Sequence, residues 1–414
     1  MIDLKQIKKY TPVCFSCLGR AFGRVGFGLD NRERGVEILN QIEDQENSNL
    51  EDVLICESLE CRVCDGLIHD VDNFVDIVSQ AMTKYSVSNF KIGTIVDTDI
   101  LEFESEFQSF CGSEFGESIK SQLNREIGIG VCSKLSIDVS MDLPDAVAIV
   151  DTRYDTVELE IKSLFIEGNY NKYDRTLPQT HWPCSRCRGQ GCIKCDNTGQ
   201  LYPESVQSLI AKPFVSASIS ESDLFHGMGR EDIDAAMLGE GRPFVLELRR
   251  PQRRDINLAS LSKLVNDSNS HRIKISKLHW VSRPRVAELK NTSCEKTYRV
   301  DVSMPSEITI ESLKKGAQAL TNKVIEQRTP LRVAHRRADL VRPRLVHSMT
   351  VKSFEEGKVE LEIKAQHGTY IRELVSGDQG RTVPSLSLLV GFPCKVEVLD
   401  VLRLHLATSE DKNV

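Results

Sequence analysis

Apolar residues recur at helical spacing in VDNFVDIVSQAMTKYS, where Val71, Phe74, Val75, Val78 and Met82 share one face and predict an amphipathic helix. NFKIGTIVD follows as a strand, and FGESIKSQLNREIGIGVC predicts a second helix. VAIVDTRYDTVELEIKSLFIEGNY reads as two strands joined near Arg153–Asp155. The polar stretch NYNKYDRTLPQT then breaks the pattern and reads as a linker. Beyond it, VQSLIAKPF predicts a short helix, FVLELRRP a half-buried strand and INLASLSKLVNDSN a helix closed by turn residues. RIKISKLHWVS, KTYRVDVSM and KVELEIKAQHGTY are strand candidates, and ESLKKGAQALTNKVIEQRTP predicts the longest helix of this half, stopped by Pro330. The pattern predicts a mixed α/β protein of the α+β kind, whose strands need not all be parallel.

At 414 residues, with 40% hydrophobic and 27% charged, the chain has room for two or three globular domains. No apolar run approaches the ~20 residues that span a bilayer. The opening MIDLKQIKKYTPVCFSC has no apolar core before a cleavage site, so a cytoplasmic protein without export signal is expected. The net charge of −7 hides an asymmetry. Residues 1–170 carry 15 Lys+Arg against 31 Asp+Glu, a net of −16, and residues 171–414 carry 38 against 29, a net of +9. The second half can hold a polyanion, although an uneven solvated surface gives the same count.

Thirteen cysteines, an odd number, in a chain expected to be intracellular point to metal ligation before disulfides. Eight form four C-x-x-C pairs: Cys14/Cys17, Cys61/Cys64, Cys184/Cys187 and Cys192/Cys195. Two residues between thiolates let both sulfurs reach one tetrahedral zinc. WPCSRCRGQGCIKCDNTG packs four cysteines into so little apolar sequence that a metal must supply its stability. The first two pairs lie 43 residues apart and form either one shared site or two unrelated turns. Both sets predict structural zinc, one or two ions in all, because neither offers an open position or a general base; a redox C-x-x-C and iron–sulfur ligation are the weaker alternatives.

Two further segments carry chemistry. FHGMGREDIDAAMLGEGRPF sets charged residues between glycine-rich turns, which presents a carboxylate to a ligand or, more plainly, caps a helix at Ile233–Leu238. AQHGTYIRELVSGDQGR places Tyr370 and Arg372 two apart, on one face if the strand continues through them.

GREDIDAAMLGEGRPF resembles the G-R-x-D catalytic loop of pseudouridine synthases. HGTYIRELVSGD resembles their G-T-Y-I-R motif, and EKTYRVDV the motif that carries the active-site tyrosine. Together with SLFIEGNYNKYDRTLPQTHWPC and YPESVQSLI, these make nearly the whole chain similar to archaeal-type tRNA pseudouridine synthases that treat the adjacent T-loop uridines. The resemblance implies a zinc-knuckle region at 1–66, a THUMP-like RNA-binding module at 67–170, a linker with the second cysteine cluster at 171–203, and a catalytic core at 204–414 on a mixed, largely antiparallel sheet. It implies a monomer acting on uridines 54 and 55 of tRNA, with no organic cofactor. Asp232 would be the catalytic aspartate, with Asp234 a nearby competitor, and Arg372 would hold Asp232 ionised and aimed. Tyr298 and Tyr370 would contact substrate, and Leu388 or its neighbours would supply an apolar wall.

These residue types suit the reaction. A carboxylate can attack C1′ of the target nucleotide, or take a proton from C2′ to give a glycal. The detached uracil must then be retained by an aromatic wall while it turns. Taken singly, Tyr298 reads as a core aromatic and Arg372 as the partner of a surface acid.

Arg332, Arg336, Arg337, Arg342 and Arg344, with Arg249, Arg250, Arg253 and Arg254, are candidate phosphate contacts. In the acidic module Lys84, Lys91, Lys120, Arg125 and Lys134 are the corresponding candidates. A non-catalytic zinc-containing RNA-binding protein or chaperone is the alternative. A THUMP-bearing methyltransferase or thiouridine synthetase fits less well, because GRVGFG at 23–28 is a poor cofactor loop in the wrong place.

Overall fold

Pairing of two very short strands settles the first ambiguity of the sequence. The computed structural model describes residues 8–24, 28–46, 55–112 and 116–406, so part of GRVGFG and the basic start of the chain lie outside the described residues. Two compact units emerge, Met1–Ser163 with Arg250–Arg254, and Leu164–Arg249 with Asp255–Val414.

In the first unit, β1 (Val13–Cys14) pairs in parallel with β2 (Ile55–Cys56), setting Cys14 opposite Cys56. Helix α1 (Phe15–Arg20) starts directly after β1, and its packing on α2 (Asn31–Glu46) is glycine-dependent. A Cβ on Gly19 would stand 1.8 Å from the Asn31 carbonyl oxygen. Helix α3 (Val71–Met82) buries Phe74, Val75, Val78 and Met82, as the periodicity predicts. Helix α4 (Thr98–Cys111) was not legible, because Glu102, Glu104 and Glu106 interrupt its apolar positions. Helix α5 (Ile119–Leu135) begins at the Ser118 cap, which accepts from the Ser121 amide. The helices accompany a four-stranded sheet, β3 (Asn89–Ile95), β4 (Asp138–Val139), β5 (Ala146–Asp151) and β6 (Thr156–Ile161), in the order β4-β3-β5-β6. Only the β5–β6 pair is antiparallel.

The second unit is built on a ten-stranded sheet. Its strands are β7 (Leu164–Lys172), β8 (Ser222–Gly227), β9 (Ala236–Arg249), β10 (Ile273–Val281), β11 (Glu295–Ser303), β12 (Lys323–Arg328), β13 (Val341–Glu355), β14 (Lys358–Ala365), β15 (Thr382–Val383) and β16 (Lys395–His405). The order is β10-β7-β9-β16-β11-β14-β13-β12-β15, with β8 pairing β9 off this path, and only β16–β9 is parallel. The sheet is thus mixed and largely antiparallel, as expected. Helices α6 (Val206–Ser218), α7 (Leu258–Ser268), α8 (Pro284–Asn291), α9 (Ile310–Leu320), α10 (Ile371–Ser376) and α11 (Leu386–Val390) complete the unit.

Four sequence readings change. The segment from Val147 to Tyr170 gives three strands, not two, and the expected linker begins inside β7. Tyr170, Asn171 and Lys172 are buried there by hydrogen bonding, which a hydropathy pattern does not register. The long helix stops at Leu320; Asn322 turns the chain with φ +55 and β12 follows. GTYIR is not strand: β14 ends at Ala365 and Tyr370 caps α10, so Tyr370 and Arg372 do not share a sheet face. The glycine-flanked loop forms no helix, and β9 begins at Ala236. Gly239 (φ +58) and Gly241 (φ +79) serve a close crossing, since a Cβ on either would meet the Leu402 or Tyr170 carbonyl oxygen at 2.0 and 2.7 Å.

Among the described residues no helix is long and apolar enough to cross a membrane.

Candidate active site

Between β8 and β9 the neighbouring side chains of Glu231 and Asp232 face opposite ways. Glu231 turns inward, where it accepts hydrogen bonds of 2.9 Å from the Tyr170 hydroxyl and pairs with Arg242 Nε at 2.9 Å. Arg242 Nη1 donates to the Met228 carbonyl at 2.6 Å, and Gln179 donates to Tyr170 Oη at 2.7 Å and to the Gly229 carbonyl at 3.0 Å. Burial and the Glu231 charge push the Tyr170 phenol well up, which keeps it a donor. Burial opposes the Arg242 charge, but Glu231 together with Tyr170, Tyr298 and Cys294 outweighs it and raises the guanidinium pKa.

A second anchor comes from β7. Lys172 is fully buried, and its Nζ donates to the carbonyls of Ile233 (2.6 Å), Leu177 (3.0 Å) and Asp232 (3.3 Å). A third is Asp400 on β16, fully buried, which binds Arg175 and Arg299 at 2.6 Å each and accepts from the Ala236 amide at 3.3 Å. Arg175 also donates to the Asp234 carbonyl at 3.0 Å. With its backbone gripped on three sides, the loop presents Asp232 and Asp234 outward, their side chains 40% and 60% exposed. Lys172→Met removes one grip and leaves three carbonyls short of a donor, at about 1–3 kcal/mol each. We expect turnover to fall about 10- to 100-fold with substrate affinity kept, since displacing a loop that lines an active cavity costs rate before binding. Unchanged single-turnover kinetics would show that the grip does not matter.

Asp232 lines a cavity of about 720 Å³, together with Tyr298, Tyr370, Arg372, Asp234, Arg332, Lys296, His367, Trp182 and Tyr202. All four residues singled out in the sequence, Asp232, Arg372, Tyr298 and Tyr370, therefore meet in one place. Tyr298 is 7% exposed, in the core and at the cavity floor. Tyr370 is clamped by Gln327, which donates to its carbonyl at 3.0 Å and accepts from its amide at 2.9 Å.

The ion pairs differ from expectation. Arg372 Nη2 binds Asp234 Oδ2 at 2.6 Å, and the cation at Asp232 is Arg332, with Nη1 3.2 Å from Oδ2. Arg332 is itself set by Glu373 (2.7 Å) and lies over the Tyr370 ring at 6.0 Å. Sequence reading placed Arg332 only among possible phosphate contacts; a partner 100 residues away left no local signal. Leu388 is 61% exposed on α11 and does not line the cavity, whose apolar wall comes from Val333, Ile371, Leu399 and Val401.

Lys296 was also missed, although it stands two residues before Tyr298 on the same strand face. It is 8% exposed and lines the cavity. Burial and the facing Arg242 lower its pKa to about 8.

Of the arginine runs, Arg337 reaches the Tyr370 hydroxyl at 3.3 Å, while Arg342 binds Thr329 at 3.0 Å. Arg250 and Arg254 are committed within the first unit, to the Leu159 carbonyl and to Asp145. In that unit Arg125 and Lys134 pair with Glu117 and Asp76, which leaves Lys84, Lys91 and Lys120 as its candidate RNA contacts. The Arg336 side chain lies outside the described residues.

The cysteines gather into two sets of four, Cys14, Cys17, Cys61 and Cys64, and Cys184, Cys187, Cys192 and Cys195, each with its sulfurs within 4.8 Å of one another. The first two pairs therefore share one site. Tetrahedral zinc with ~2.3 Å bonds puts sulfurs about 3.8 Å apart. In the second set the Cys184–Cys192, Cys187–Cys195 and Cys192–Cys195 separations are 3.9, 3.7 and 3.7 Å. Backbone amides donate to Cys61, Cys187 and Cys195 sulfurs at 3.2 Å, as thiolates require. Amides of Cys187 and Arg186 lower the Cys184 thiol to about 6. Both sets fit a structural dication.

Arg20, 1% exposed, lies beside the first set and binds Glu104 at 2.9 Å and Gln122 at 3.0 Å. Its guanidinium would offset part of the net negative charge of four thiolates around one dication.

The family description Pus10, C-terminal, matches residues 165–405, and Pus10 THUMP domain, archaeal, matches residues 74–151. A protein of Methanothrix thermoacetophila named tRNA pseudouridine synthase Pus10 is 36% identical over 96% of this chain and 92% of its own length. The protein of that name from Methanothermobacter marburgensis is 39% identical, covering 95% of each. A chain in a solved Cbf5-Nop10-Gar1 complex aligns at 14% identity with TM-score 0.32, over 58% of this chain and 48% of its own. On the two domain matches and the near full-length identities, the chain belongs to the Pus10 family of pseudouridine synthases.

Proposed function

We propose that the protein is a cytoplasmic tRNA pseudouridine synthase that isomerises uridines 54 and 55 of the T-loop. The observation that carries the chemistry is the outward Asp232 on a loop otherwise fixed by buried polar contacts, facing a cavity with aromatic and cationic walls. The target uridine is turned out of the loop so that its ribose meets Asp232. The carboxylate acts at C1′ as nucleophile or at C2′ as base. The N1–C1′ bond breaks, the uracil turns, C5 bonds to C1′, the C5 proton is lost and N1 gains one. Arg332 fixes the Asp232 carboxylate, Tyr298 supports the ring, and the apolar wall keeps water from the detached base. Each set of four cysteines would hold one structural zinc ion that takes no part in this chemistry.

Lys296 supplies the charge that a leaving uracil anion needs. Its ammonium faces Arg242, Glu231, Cys294 and the cavity, so it loses its proton as pH rises through about 8. We expect kcat/KM for tRNA to decline on an alkaline limb with apparent pKa near 8, and Lys296→Met to flatten that limb while lowering the plateau. An identical limb in the variant would remove Lys296 from this role.

The reading itself is tested by incubating the protein with unmodified tRNA transcript and mapping pseudouridine. Product at positions 54 and 55, abolished site by site when either uridine is replaced by cytidine, is expected. No product on any tRNA, with binding retained, would favour the non-catalytic RNA-binding alternative.

A further inference from the structure

The second cysteine loop has a feature beyond metal holding. Its two stems run antiparallel: the Cys184 amide donates to the Gly199 carbonyl and the Leu201 amide to the Trp182 carbonyl, both at 2.8 Å, with Pro183 bridging Gln200. The stems therefore carry Trp182 on one side and Tyr202 on the other. These rings meet edge-to-face, with centroids 5.7 Å apart. Neither belongs to the buried apolar core, both are partly exposed, and both line the cavity that holds Asp232. The Arg230 guanidinium covers the indole at 4.7 Å, and Arg230 is two residues from Asp232, at most about 7 Å along the chain. On the loop itself Arg186, Arg188 and Lys194 are exposed, as is Ile193, which no apolar neighbour covers at 89% exposure.

Aromatic rings left half open beside a reacting carboxylate, next to a guanidinium and three outward cations, fit a single-stranded nucleic acid better than a packing role. Every base has a π-face, and its neighbouring phosphates need cations. We propose that Trp182 and Tyr202 form a stacking platform for an RNA base adjacent to the target uridine, with Arg186, Arg188 and Lys194 contacting the flanking phosphates. The cysteine loop acts as the strut that sets the platform's height over the cavity. This rests on the tRNA reading above and adds a subsite that fixes which uridine enters.

The chain has two tryptophans, and Trp280, on β10, does not line the cavity. In Trp280→Phe, Trp182 is therefore the sole indole and reports directly on the platform. Titration with unmodified tRNA transcript should quench its emission along the isotherm given by filter binding. Trp182→Ala and Tyr202→Leu should each raise KM about 10-fold with kcat changed less, and Trp182→Phe should restore most of the loss because it keeps a π-face. Cys187→Ser, which frees the strut, should lose the quench in the Trp280→Phe background. Steady emission while tRNA binds and pseudouridine forms would overturn the platform and leave the enzyme reading standing, as would an unchanged KM in Trp182→Ala. Failure of every protein, wild type included, to bind tRNA or form product would defeat the enzyme reading and the platform with it.

Discussion

Asp232→Asn is expected to stop pseudouridine formation on tRNA, lowering the single-turnover rate by about 10³-fold or more. The amide is nearly isosteric, so Arg332 stays in place and the cavity keeps its shape, but neither attack at C1′ nor proton removal at C2′ remains open to it. Affinity for tRNA should change by less than about threefold, because phosphate contacts dominate binding. Asp234→Asn is the necessary companion, since Arg372 binds Asp234 and not Asp232. That variant should lose only about tenfold, through a loosened Arg372. If the two losses are exchanged, the reacting carboxylate is Asp234 and the G-R-x-D register has been misread by two residues. Rapid-quench mapping of both variants on one transcript decides between them.

The second large effect concerns the first cysteine set. Cys61→Ser is expected to remove one zinc equivalent and to unfold much of the first unit. The sulfurs of Cys14, Cys17, Cys61 and Cys64 lie within 4.8 Å of one another, and what joins the two segments besides them is small: two strands of two residues, the Arg62 amide on the Pro12 carbonyl at 3.0 Å and a few buried apolar side chains such as Val13 and Val63. Burial pushes the Cys17 thiol up while neighbouring thiols pull Cys61 down, so the four cannot all be thiolates without a dication among them. Structural zinc binding is worth on the order of 10 kcal/mol, comparable to the whole stability of a domain. Metal analysis should fall from two ions to one, with early proteolysis of residues before Ser163. Unchanged zinc content or an unchanged melting profile would contradict the assignment.

The elements most legible in the sequence were those stabilised by apolar periodicity. α3 and β11 each show their buried face as a regular spacing. The four C-x-x-C pairs were equally plain, because ligand chemistry is local in sequence even when the site is not. What stayed hidden was polar burial. Tyr170, Lys172, Glu231, Arg242 and Asp400 are enclosed by partners up to 225 positions distant, so β7 looked like a linker. The ion pairs at the cavity were misassigned for the same reason. A motif names the residues of a site, but which guanidinium reaches which carboxylate depends on how the α10 start and the 331–336 turn converge.

The inward Glu231 and outward Asp232 make the stretch from Gly229 to Ala236 a parity device. Substitutions there change one contact at a time, whereas adding or deleting a single residue moves each side chain beyond it into its neighbour's place. A one-residue deletion after Gly229 would send Asp232 toward Arg242 and replace the solvent-side carboxylate by an isoleucine. Apart from Glu231, Asp232 and Asp234, whose side chains carry the contacts, this stretch should therefore tolerate changes of identity far more readily than changes of length.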